Sequence, residues 1–148
     1  MYKILVIHGP NLNMLSIRET NIYGNVTLSE INERIYDMTK SEKIEVTIRQ
    51  SNREGELVEI IQDALGIYHG IVINPAAYTH TSVAIRDAIL AVNIPTIEVH
   101  ISNIYKREDF RHHSYISDIV LGKITGFGIN SYLLGIKAVT DHLKSKNI

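Results

Sequence analysis

Apolar residues follow two alternating patterns along this chain. Short, near-continuous runs such as KILVIHGP, ended by Gly9 and Pro10, have the form of a strand covered on both faces of a sheet. Between them, apolar residues return at helical spacing. TLSEINERIYDMTKSE puts Leu28, Ile31, Ile35 and Met38 on one stripe, and Thr27 three residues before Glu30 is a capping-box spacing that predicts a helix start. The alternation continues: strand KIEVTIRQS, helix GELVEIIQDALG stopping at Gly66, strand GIVINPAAY stopped by Pro75, helix TSVAIRDAILAVN ending before Pro95, strand TIEVHIS. A polar, irregular stretch, NIYKREDFRHHSYISD, leads to a short fifth strand at KITGFG and a last helix carrying Leu133, Ile136, Val139 and Leu143.

Strands that alternate with helices need the helices as crossovers between parallel neighbours, so the expected fold is α/β. At this length the pattern predicts a flavodoxin-like, doubly wound, five-stranded parallel sheet in three α/β/α layers. The 148 residues, 45% hydrophobic, suffice for one core, and residues 1–148 are expected to form a single catalytic domain.

Composition narrows the function classes. Fifteen basic and sixteen acidic residues give a net charge of -1 without a basic run, which argues against nucleic acid or a membrane surface as partner. The chain has no cysteine, which excludes a disulfide scaffold, a thiolate nucleophile and Cys-ligated metal. The first apolar run is too short to span a membrane and lacks a cleavage pattern, so a cytoplasmic protein is expected.

In doubly wound sheets ligands bind outside the carboxyl ends of the strands. The residues there are Asn11, Asn13, Arg18 and Tyr23 after the first strand, Asn74 and His80 after the third, and His100 with Ser102 at the end of the fourth. Strand alternation puts Glu98, His100 and Ser102 on one face, and a carboxylate beside an imidazole fixes its tautomer and favours its charged form. The same pair is also what a hydrogen-bonded structural His at a strand end needs. Tyr23 is a poor base at its ordinary pKa of about 10, and Arg18 in the same loop is placed by sequence to stabilise a phenolate. Taken alone, the pair is better read as a Tyr packed over the sheet edge beside a solvated Arg. Asn11 and Asn13 suit turns, and Thr79, Thr81 and Ser82 suit a helix cap. Arg86 and Asp87 fit an exposed helix face or an ion pair. His112 and His113 lack a third spaced ligand, so no metal is expected.

GPNLNMLSIRETNIYG, QSNREGELVEIIQ, INPAAYTHTSVAIRDAI, EVHISNIYKREDFRHHSYIS and GFGINSYLLGI, covering nearly the whole chain in this order, resemble the type II 3-dehydroquinate dehydratases. Ser16 and Thr20 depart from the family's usual Gly and Pro. Both fall in the loop that the resemblance makes a mobile lid, so they bear on its closure. The resemblance implies anti elimination of water from 3-dehydroquinate through an enolate, without cofactor or metal, in the shikimate pathway or quinate breakdown. Tyr23 would be the base, Arg18 its partner, Asn11 the holder of an enolate-stabilising water, and His100 the acid oriented by Glu98. Asn74, His80, Ile101, Ser102 and Arg111 would bind substrate, and Asp87 would reach a neighbouring subunit in a dodecamer of four trimers. The rival from another class is a flavodoxin-like binding or scaffolding module. The loop GPNLNMLS lacks the Ser/Thr-rich character of a flavin-phosphate loop, and INPA lacks a phospho-acceptor Asp.

Overall fold

The computed structural model describes residues 1–17 and 20–146, without the side chains of Thr20 and Tyr23. Five parallel strands, β1 (Tyr2–His8), β2 (Ile44–Gln50), β3 (Gly70–Asn74), β4 (Thr96–His100) and β5 (Gly122–Thr125), lie in the order β2-β1-β3-β4-β5. This is the flavodoxin-like order, with the change of direction between β1 and β3.

Helices cover both faces. On one side α2 (Leu28–Ser41) and α5 (Ile129–Ser145) bury Ile31, Ile35, Ile136 and Val139 against Ile4, Val6, Val72 and Val99. On the other, α3 (Glu54–Asp63) and α4 (Val83–Val92) bury Leu57, Ile61, Ile85 and Ile89 against Leu5, Ile7, Ile71 and Ile73. Ile4 and Val6 face one layer and Leu5 and Ile7 the other, which is why the first strand reads as a continuous apolar run. Gly135 brings α5 close to the sheet, since a Cβ there would stand 2.9 Å from the Val99 side chain.

The caps are local. Thr27 accepts from the backbone N–H of Glu30, as its spacing predicts, and among the three cap candidates before α4 it is Ser82 that accepts from Ile85. The structure adds elements too short for periodicity to reveal. The loop after β1 contains α1 (Thr20–Tyr23), and 3-10 turns occupy Ala76–His80, Ile104–Lys106 and Asp109–His112. The fifth strand begins at Gly122, one residue before the predicted run, and ends at Thr125 because the backbone turns at Gly126 with φ 99.

Candidate active site

The carboxyl ends of β1, β3 and β4 surround a crevice of about 180 Å³. Asn11 lines it after β1, Asn74 and His80 after β3, and Ile101 and Ser102 after β4. His100 forms part of the wall, and Arg111 reaches in from the turn Asp109–His112. Of the predicted rim residues, Asn11, Asn74, His80, His100 and Ser102 therefore converge, while Asn13 does not line the crevice. A second hollow of about 640 Å³ shares Ile101, Ser102 and Arg107 with the crevice and is walled by Asn21 and Ile22 of α1, which puts this turn beside the site. Arg18 and the Tyr23 side chain lie outside the described residues. Asp87 is exposed on α4 and does not line the crevice.

The β1 and β3 loops are forced together. Gly9 donates its N–H to the Asn74 carbonyl at 2.7 Å. Asn11 then takes the left-handed backbone (φ 68) that opens the turn Leu12–Met14, and its N–H donates to Asn52 Oδ1. Ser16 is also left-handed (φ 76). A glycine would adopt that conformation without the strain a serine carries.

Glu98 and His100 are both buried, at 0% and 4% exposure, on the α4 side of β4. His100 Nε2 lies 2.6 Å from Glu98 Oε2, which also accepts from Thr79 Oγ1 at 2.6 Å. Ser117 Oγ donates to Oε1 at 2.6 Å, and Ser114 Oγ lies 3.2 Å from the same atom. Burial alone would push the Glu98 carboxyl up. The His100 hydrogen bond and charge, with Ser117 and Thr79, outweigh burial and bring it down to about 2. Glu98 is thus an anion at neutral pH. His100 Nε2 must carry a proton to face it, and Nδ1 is the ring nitrogen left for the crevice.

Each binding candidate has a defined polarity. His80 Nδ1 donates to the His113 carbonyl at 2.7 Å. Burial lowers the His80 pKa despite that bond, so the imidazole is neutral and offers Nε2 as an acceptor. Arg111 is held through Nε by Glu108, which leaves its outer nitrogens for an anion. Arg107 lines both hollows, although the sequence pattern singles out only Arg111. Arg86 is in an ion pair, 2.5 Å from Asp118, and donates to the Tyr115 carbonyl at 2.8 Å. It thereby ties the Ser114–Ser117 stretch to α4.

Sequence reasoning missed the hydroxyls around Glu98. It also missed a buried group behind the crevice, where His8 meets Tyr132 and Asn32 and Tyr132 meets Asn74. The signal for the second was present: a histidine inside an apolar run is buried, and buried polar groups need partners. A more apolar hollow of about 380 Å³ lies between α2 and α5, lined by Met38, Ile44, Leu133 and Leu134. None of the converging rim residues reaches it.

The family model described as dehydroquinase class II matches residues 2–140. The chain is 59% identical over 143 residues to the 3-dehydroquinate dehydratase of Acaryochloris marina (strain MBIC 11017), covering 97% of this chain and 96% of that one. It is 56% identical over 142 residues to the protein of the same name from Geotalea daltonii (strain DSM 22248 / JCM 15807 / FRC-32), covering 96% of this chain and 99% of that one. Among solved structures, the type II dehydroquinase from Butyrivibrio crossotus DSM 2876 gives a TM-score of 0.92 at 50% identity, covering 94% of this chain and 97% of that one. The type II dehydroquinase from Propionibacterium acnes gives 0.89 at 40%, covering 95% and 97%.

Proposed function

The chain belongs to the class II dehydroquinases and dehydrates 3-dehydroquinate to 3-dehydroshikimate, and from that premise we propose how its residues divide the reaction. Tyr23, as a tyrosinate stabilised by Arg18, removes the proton next to the ketone. Asn11 holds a water that stabilises the enolate. His100, through Nδ1, protonates the departing hydroxyl, while Glu98 fixes the ring. The observation that carries this reading is the buried Glu98–His100 pair at the crevice wall, 2.6 Å apart.

Binding roles come from the polarities. Arg111 takes the substrate carboxylate with Ser102 and the Ile101 backbone, while Asn74 and His80 hold the ring hydroxyls. Asp87, exposed on α4, fits a contact with a neighbouring subunit in a dodecamer of four trimers. Residues 1–148 act as one catalytic domain, and the cytoplasm is the compartment that suits a shikimate-pathway enzyme. Among the described residues no helix is long and apolar enough to cross a membrane.

The test is ultraviolet detection of the conjugated enone when chelator-treated protein meets 3-dehydroquinate. Product formation without metal is the expected result. No product from folded protein would point to a scaffolding role for this fold.

A further inference from the structure

On the α2 and α5 side of the sheet, behind the crevice, four polar side chains form one chain, three of them buried and Asn32 half-buried. His8 ends β1 and is the register partner of Asn74 at the end of β3. Asn74 Nδ2 lies 2.9 Å from Tyr132 Oη, which lies 2.9 Å from His8 Nδ1. His8 Nε2 lies 2.8 Å from Asn32 Oδ1. His8 and Tyr132 are fully buried and Asn74 is 3% exposed.

Such chains usually have two directions, because amides flip and imidazoles tautomerise. Here one contact removes the choice. Asn74 Oδ1 accepts from the backbone N–H of Ala76 at 3.0 Å, and a backbone N–H can only donate. Asn74 must therefore present Nδ2 to Tyr132 and donate to it. The buried hydroxyl still has its own proton to place, and among the described residues His8 Nδ1 is the acceptor beside it, so Tyr132 donates to His8 Nδ1. His8 then carries its proton on Nε2 and donates to Asn32. Burial, only partly opposed by the Asn32 bond, lowers the His8 pKa to about 4, in keeping with a neutral ring. No charged side chain takes part. Asn74 keeps one Nδ2 hydrogen that has no partner among the described residues, and Asn74 lines the crevice.

We propose that Tyr132, His8 and Asn32 are positioning residues that lock the Asn74 carboxamide with an N–H toward the substrate, making this point of the site a fixed hydrogen-bond donor. Asn74 then selects a ligand oxygen in the accepting role, and the selectivity is set by residues that never touch the ligand. This inference rests on the substrate-binding role of Asn74 stated above. It extends that role to side chains on α2 and α5, which otherwise serve as the outer wall of the core.

The experiment is a double-mutant cycle of Tyr132→Phe and Asn74→Ala, read as KM and kcat for 3-dehydroquinate. Tyr132→Phe should raise KM about tenfold, the equivalent of one hydrogen bond, with a smaller change in kcat. In the Asn74→Ala background it should change KM by less than about twofold. An equal effect in both backgrounds would mean that Tyr132 acts on the fold at large and would overturn the proposal. An impaired Asn74→Ala beside a Tyr132→Phe with native KM overturns the proposal alone. A fully active Asn74→Ala overturns the binding role of Asn74 and the proposal with it. If Tyr132→Phe does not fold, nitrogen-15 shifts of His8 in the native enzyme decide: protonated Nε2 with bare Nδ1 at pH 7 supports the chain, and the opposite tautomer refutes it.

Discussion

Gly9 and Pro75 are packed so closely that a Cβ on Gly9 would stand 2.5 Å from the Pro75 carbonyl oxygen and 2.6 Å from its carbonyl carbon. Both obstacles are backbone, so neither can rotate away. Gly9→Ala must push apart the loops that carry Asn11 and Asn74. The expected cost is about 1–3 kcal/mol in denaturant unfolding, with kcat/KM down more than about tenfold. A variant with native kinetics would show that the two loops need not touch.

Glu98→Gln keeps the shape of the side chain and removes its charge. An amide nitrogen would then face the hydroxyls and imidazole that now donate to oxygen. Turnover should fall by about 10²-fold, with KM less affected, because His100 loses the partner that fixes its protonated edge. Native turnover would remove Glu98 from the mechanism.

Tyr23→Phe should reduce kcat to below about one per cent of native while the dissociation constant of 3-dehydroquinate changes by less than about threefold. Substantial residual turnover would assign the proton abstraction to another group.

Acid should destabilise the protein in two steps. In the unfolded chain His8 takes a proton below its ordinary 6.5, but in the fold only near 4, so the unfolded state binds more protons between those values. Stability is lost as the pH falls through that window, by about 3 kcal/mol. Glu98 adds a similar loss between its ordinary 4.5 and about 2, because the folded carboxylate resists protonation. Denaturant titrations at stepped pH check both. His8→Gln should flatten the first window and leave the second, and an unchanged profile would rule out His8 as its source.

Much of this was legible in the sequence for a physical reason: burial on both faces leaves a run of apolar residues, and the polar residues just past a strand end lie on the rim of the sheet. Asn11, Asn74, His80, His100 and Ser102 were found that way, and Glu98 by its alternation with His100. The one-turn α1 was not, because four residues show no period. Thr79, Ser114 and Ser117 were hidden because Ser and Thr in loops look like caps, and only the fold brings them to one carboxylate. The His8–Tyr132 pair is separated by 124 positions, so its partners could not be named although its need for one could.

The hydroxyl cage around Glu98 also decides how protons travel. Both oxygens are already accepting hydrogen bonds from four side chains, and the carboxylate resists protonation down to about pH 2. In the proposed cycle His100 gives up a proton at each turnover and must regain it. Tyr23 meanwhile gains the proton taken from the substrate, and since the hydroxyls around Glu98 already donate to it, the proton that restores His100 reaches it from the crevice side, from Tyr23 or from solvent. The crevice that receives the substrate is then also the side from which the acid is restored.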